Sequence, residues 1–270
     1  MISVMLYSFS RAMAAGAVSL ADAVRCCADA GAAAVELASH LPDDDDGLRA
    51  MLAERGLGVA CYDVSADLIA QTAGERDEAV ESLASQVRRG AKMGAPIILI
   101  VPGSLRPGMS FEIGCARAAD GIRAVLPLAA ELGVTLTAEQ MGGQLSLCRR
   151  GAHLRAMVDA VASPHFGLTY DPGNFYITGE DCVGPLPGLL PWVRHVHFKD
   201  IRSQPAGGAP PDGGWTSVPL GQGAVPLEAV YRLLAEGGYD GYISVEYEGA
   251  DDPCAAVRTG IGYLRRLMHV

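Results

Sequence analysis

The sequence predicts a single (β/α)8 TIM barrel covering residues 1–270. Eight short apolar runs alternate with amphipathic stretches along the chain. Most of those stretches stop at a glycine just before the next run. The 270 residues suit a barrel, which commonly fills about 250 residues as one domain. The competing arrangement is a doubly wound open sheet. It is disfavoured because no GxGxxG follows the first run.

Each element can be placed in order. Residues 2–8 (ISVMLYS) form the first strand, and Ser19 caps a helix over 19–30 that ends at Gly31. Residues 33–39 (AAVELAS) form the second strand, followed by a helix over 46–55 and Gly56. Residues 57–64 (LGVACYDV) form the third, followed by a helix over 75–93 and Gly94. Residues 95–101 (APIILIV) form the fourth, followed by a helix over 112–132 and Gly133. The fifth, sixth and seventh strands are 134–140 (VTLTAEQ), 166–171 (FGLTYD) and 193–200 (VRHVHFKD). A helix over 226–236 opens with Pro226 and ends at Gly237-Gly238, before the eighth strand at 241–248 (GYISVEYE). Nearly continuous apolar runs of this length read as buried parallel strands. A glycine just past a helix supplies its left-handed cap. The Gly- and Pro-rich stretch from Ser203 to Ser217 follows the seventh strand. It is either a solvated loop or a substrate-covering lid with Trp215 as its apolar contact.

Composition narrows the function. Half the residues are hydrophobic, so the chain is no disordered segment. The net charge of −10 argues against nucleic acid as a partner, because phosphates would be repelled. Seven cysteines with no CxxC pair suggest neither a disulfide framework nor a zinc ribbon. No signal peptide opens the chain and no apolar run approaches the ~18–20 residues of a membrane span. A cytoplasmic protein with no membrane partner is expected.

Strand ends in a barrel converge on one site. Here they carry Glu36, Glu139, Asp171, then His195, His197 and Lys199, then Glu246 and Glu248. Period two puts His195, His197 and Lys199 on one face and Val196 and Phe198 on the other. By the same rule Thr137 and Glu139 share a face, as do Ser244, Glu246 and Glu248. Buried carboxylates that face one another cost several kcal/mol unless a cation compensates them. Any one of these residues would pass as an ion pair or a cap. Together, Glu139, Asp171, His197 and Glu246 point to one divalent metal ion. An oxygen-rich set with one imidazole suits Mn²⁺, Mg²⁺ or Co²⁺ better than Zn²⁺.

The motifs TAEQ (137–140), TYDPGNF (169–175), HVHFKD (195–200), LGQGAV (220–225) and GYDGYISVEYEG (238–249) occur in this order. Together they resemble the xylose isomerase-like sugar phosphate isomerases and epimerases. The resemblance implies a divalent-metal-dependent isomerase or epimerase acting on a small ketose, keto-polyol or sugar phosphate through an enediolate. It places the metal on Glu139, Asp171, His197 and Glu246, and makes Glu139 and Glu246 the catalytic acid/base pair. It makes Arg202 similar to a guanidinium that holds substrate oxygens. Asn174, Lys199, His195, Tyr7 and Glu36 complete the expected substrate contacts. A homo-dimer or homo-tetramer is expected.

One position departs from the pattern. Many relatives carry His three residues after the sixth-strand aspartate, where this chain has Asn174. Asn can hydrogen-bond a hydroxyl but cannot shuttle a proton. The departure leaves two alternatives open: a metal-dependent dehydratase of inosose or dehydroshikimate type, or a non-catalytic sugar-binding barrel. The chain's six histidines are too few for an endonuclease IV-like trinuclear site. Other residues read more plainly. His40 and the acidic run Asp43 to Asp46 suit a solvated helix start. Arg149 and Arg150 suit a surface pair, with a substrate phosphate as the alternative. Tyr62 suits the pocket floor or the core, and Cys61 a buried small hydrophobe.

Overall fold

A computed structural model describes residues 1–39, 41, 44–203 and 214–269. The barrel strands are β1 (Ile2–Met5), β2 (Ala34–Ala38), β3 (Gly58–Ser65), β4 (Ile97–Val101), β5 (Thr135–Glu139), β6 (Phe166–Tyr170) and β7 (Val193–Phe198). A small hairpin follows, β8 (Asp200–Ser203) with β9 (Trp215–Val218), and β10 (Ile243–Val245) closes the ring. The barrel runs β1-β10-β7-β6-β5-β4-β3-β2, all neighbours parallel. The eight expected runs are its eight strands, and the fold is the expected (β/α)8 barrel.

Local chemistry fixes the helix starts. Ser19 caps Leu20–Ala30 in a capping box with Asp22, and Thr72 does the same for Ala73–Lys92 with Glu75. Asp44 accepts from Gly47 N to start Asp45–Glu54. The acidic run therefore serves a helix N-terminus, as expected, although Asp43 and His40 lie outside the described residues. Gly31 and Gly133 adopt the left-handed cap. At the 226–236 helix the left-handed residue is Gly238 rather than Gly237.

Most boundaries shift by one or two residues, and a few elements differ more. The first strand stops at Met5, and Leu6–Phe9 forms a 3₁₀ turn. The last strand stops at Val245. Beyond it the N–H groups of Tyr247 and Glu248 donate to Ser8 Oγ and Ser217 Oγ, so the chain leaves the sheet for loop hydroxyls. Helices Gly151–Val161 and Pro253–Met268 fill stretches given no element by the sequence reading. The ends of the Ser203–Ser217 stretch pair as the β8–β9 hairpin. Most of that stretch, and hence the lid reading, lies outside the described residues.

Alternation sorts side chains between two environments. Outward residues such as Val35, Leu37, Ile98, Ile100, Val196 and Phe198 pack with helix residues such as Val24, Val87 and Ile122 in one core. Inward residues form a polar ladder. Ser3 bonds Ser244 at 3.0 Å and Thr137 bonds Thr169 at 2.8 Å. This polar interior continues upward into the ionisable groups at the strand ends.

Buried Asp200, at the start of β8, organises the loop after the hairpin. Its carboxylate accepts from the N–H groups of Gly221, Gly223 and Val225. A Cβ at Gly223 would lie 2.0 Å from Asp200 Oδ1, so the close approach requires glycine in the LGQGAV motif.

Candidate metal centre and active site

The floor of the barrel mouth is a chain of buried ionisable groups. Glu36, from β2, accepts from two imidazoles at once. Its Oε1 is 2.8 Å from His197 Nε2, and its Oε2 is 2.9 Å from His195 Nε2. All three side chains have no exposed surface. The other ring nitrogen of His197, Nδ1, lies 2.7 Å from Glu139 Oε1 and 3.3 Å from Glu246 Oε2. Lys199 reaches Glu246 at 2.9 Å, Glu248 at 2.7 Å and Asp171 at 3.4 Å.

Ligand atoms of Glu139, Asp171, His197 and Glu246 all lie within 4.8 Å of one another. Two buried oxygens of that set make no hydrogen bond: Asp171 Oδ2 has its 3.4 Å ion-pair contact with Lys199, and Glu246 Oε2 its 3.3 Å approach to His197 Nδ1. Unsatisfied buried acceptors are costly, and a cation among them removes the cost. The donor set therefore fits one divalent ion. The positions also lock one another. Asp171 Oδ1 accepts from Gly173 N at 2.8 Å and caps the short helix Pro172–Ile177. That leaves Oδ2 directed at the cluster. A Cβ on Gly173 would sit 2.7 Å from the Lys199 carbonyl, so the Asp-Pro-Gly turn packs tightly against β7.

The electrostatics are those of a site waiting for positive charge. Burial first, then Glu246 and Glu139, hold Asp171 up at about 8 against the opposing pull of Lys199. Burial also opposes ionised Glu246, but Lys199 and then His197 outweigh it and hold the carboxyl well below its usual range. Burial works against charged Lys199, yet Glu246, Glu248 and Asp171 keep it a cation. His197 is desolvated as well, and Glu36 and Glu139 still raise its affinity for a proton. Glu36 is buried too, and the two imidazoles keep it ionised.

Above this floor opens a cavity of about 870 Å³. Glu139, Glu246, Lys199, Asn174 and Tyr7 line it, as do Arg149 and Trp215. Tyr7 stands at the wall on the 3₁₀ turn and is 43% exposed. Arg149, read from the sequence as a surface residue, donates to the Gly142 carbonyl at the cavity edge. Three expected substrate contacts are placed elsewhere. Glu36 and His195 bind each other beneath the cavity. Arg202 is exposed on the hairpin and donates to the Gln222 carbonyl. Tyr62 faces the outer helices through Gln86, and Cys61 is buried, as expected of a small hydrophobe. The sequence reading passed over Asp63. It lies one residue before the end of the third run, in phase with Cys61, so period two alone could have found it at the cavity wall.

The Glu36 contact has a measurable consequence. A carboxylate on the far nitrogen of a metal-ligating imidazole fixes its tautomer, and losing it typically costs about 10- to 100-fold in metal affinity. Glu36→Gln should weaken Mn²⁺ binding by that factor in calorimetry. Unchanged affinity would remove Glu36 from any role at the metal centre.

Comparison with known proteins identifies the class. Residues 24–267 match the xylose isomerase-like TIM barrel family, and the chain belongs to it. Among curated relatives, it is 25% identical over 263 residues to an inosose dehydratase of Geobacillus thermodenitrificans, covering 89% of this chain and 85% of that one. Two solved structures share the fold. A zinc-bound IOLI protein superposes with a TM-score of 0.82 at 16% identity, covering 98% of this chain and 97% of that chain. An L-ribulose 3-epimerase superposes with a TM-score of 0.80 at 18% identity, covering 99% and 94%. Among the described residues no helix is long and apolar enough to cross a membrane.

Proposed function

We propose that this protein is a divalent-metal-dependent isomerase or epimerase that moves a proton beside the carbonyl of a small polyhydroxylated ketone. The observation that carries the reading is the pair of unsatisfied buried oxygens, Asp171 Oδ2 and Glu246 Oε2, in one cluster with Glu139 and His197. When bound there, a divalent ion supplies Lewis acidity toward the substrate's carbonyl and hydroxyl oxygens. The chain's own groups do the rest. Glu139 faces the cavity from β5, and Glu246 faces it from just beyond β10, with β6 and β7 between them in the barrel order. A planar intermediate held between them presents a different face to each. Lys199 and His197 suppress the proton affinity of Glu246, which leaves Glu139 as the base that removes the proton. Glu139, now protonated, returns that proton to the neighbouring carbon, while ionised Glu246 and charged Lys199 form the opposite wall. Lys199 stays charged and donates a hydrogen bond to a substrate oxygen. Asn174, at the same wall, offers a donor and an acceptor but no proton.

A second reading has one comparison in its favour, the inosose dehydratase relative that spans most of the chain. The same first step followed by loss of a β-hydroxyl gives a dehydratase, with Lys199 placed to hold the departing oxygen. Product mass separates the readings. Mn²⁺-loaded protein should convert inosose or D-allulose to a product of equal mass. Loss of one water would establish the dehydratase, and no turnover of either ketone would overturn the enzymatic assignment.

A further inference from the structure

Asp63 is a buried carboxyl that the chemistry above does not use. It stands on β3, which lies directly across the barrel order from β7 and its metal-facing His197. Asp63 is 8% exposed and lines the cavity. Its Oδ1 meets the weak Cys61 thiol donor at 3.5 Å, the Glu36 carboxyl adjoins it, and its Oδ2 has no hydrogen-bond partner. Among the described residues no cation pairs with it in an ion pair. A carboxyl buried this way lowers stability unless something that enters the cavity completes it.

Resting on the reading of the site as one for polyhydroxylated ketones, we propose that Asp63 is a specificity-determining residue that hydrogen-bonds a free hydroxyl at the end of the substrate remote from the reacting carbon. The chemistry of the wall selects that partner. A hydroxyl both donates and accepts, so it satisfies a carboxyl in either protonation state. Burial first, and the adjoining Glu36 carboxylate second, favour the neutral acid, which also offers a donor. A phosphate would bring two negative charges toward the ionised Glu36 that adjoins Asp63, with no cation on β3 to receive them. The site is thereby tuned to an unphosphorylated polyol. Its polar demand also makes it selective, because a substrate lacking that hydroxyl leaves the buried carboxyl unpaired.

The test uses Mn²⁺-loaded wild type, Asp63→Asn and Asp63→Ala, titrated by calorimetry with inosose, D-allulose, D-fructose and D-fructose 6-phosphate. Asp63→Ala should weaken binding of the preferred polyol by about 10-fold or more, the factor expected for a lost buried hydrogen bond. Asp63→Asn keeps a donor and an acceptor and should stay within about 3-fold of wild type. Both variants should keep their Mn²⁺ content and melt at or above the wild-type temperature, because a structural residue would lower it and a residue held ready for substrate would not. D-Fructose should bind more tightly than its 6-phosphate. Unchanged polyol affinity in Asp63→Ala, or equal affinity for the phosphorylated and free ketose, overturns the proposal. Wild type that binds none of the free ketones overturns it together with the function proposed above. Wild type that turns a ketone over, with Asp63→Ala unaffected, sinks the role of Asp63 alone.

Discussion

Lys199→Met is expected to lose roughly 3–5 kcal/mol of stability in metal-free protein at neutral pH, the cost of leaving buried charges without their partner. The ammonium is 4% exposed and lies against three carboxylates, Glu246, Glu248 and Asp171. Methionine fills a similar volume but leaves those groups facing one another. The sign with pH follows from Glu246. Lys199 helps hold its folded-state affinity for a proton below the ordinary value. The stability from that contact is present above the unfolded carboxylate range and is lost as pH falls. The deficit of the variant should therefore shrink toward acid pH, where the carboxyls protonate. Saturating Mn²⁺ should recover part of it by ligand linkage. Urea denaturation with and without Mn²⁺ checks both effects. A loss below about 1 kcal/mol, the range of an exposed pair, would mean the cluster is hydrated rather than dry.

Glu139→Gln is expected to lower kcat by about 10²–10⁴-fold, the contribution of a positioned general base. Glutamine preserves shape and a hydrogen-bonding oxygen toward His197 Nδ1, now 2.7 Å away. It cannot accept the substrate proton. Because Glu139 also belongs to the metal cluster, the variant should bind Mn²⁺ more weakly, and kcat must be read at saturating metal. Activity that stays low at saturation identifies the base. Activity that returns identifies a ligand only, and Glu246 would then be the remaining candidate for proton removal.

The sequence made the barrel legible because buried parallel strands are short apolar runs, and this chain punctuates them with glycines such as Gly31 and Gly133. Strand ends were harder. The end of this strand depends on Ser8 and Ser217 taking the N–H groups of Tyr247 and Glu248, and both hydroxyls are distant in sequence. The cluster of Glu139, Asp171, His197 and Glu246 was legible because period two and the strand-end rule act on each strand separately. The layer beneath was not. Whether Glu36 and His195 meet a substrate or each other depends on their depth in the barrel, which alternation does not encode. Arg202 likewise follows the hairpin, and its side chain turns to Gln222. Asp63 was within reach of the same rule, two places after Cys61 on the same face of β3.

In the proposed chemistry this site removes a carbon-bound proton beside a carbonyl. The direct measurement is turnover in D₂O by Mn²⁺-loaded wild type, with the product examined by proton NMR. Deuterium is expected at the carbon next to the carbonyl, because Glu139 and Glu246 line an open cavity from which solvent can reach them. Complete turnover with no solvent deuterium in product or recovered substrate would contradict it. That result would mean a hydride shift between carbons or a base closed off from solvent, rather than a base open to the cavity.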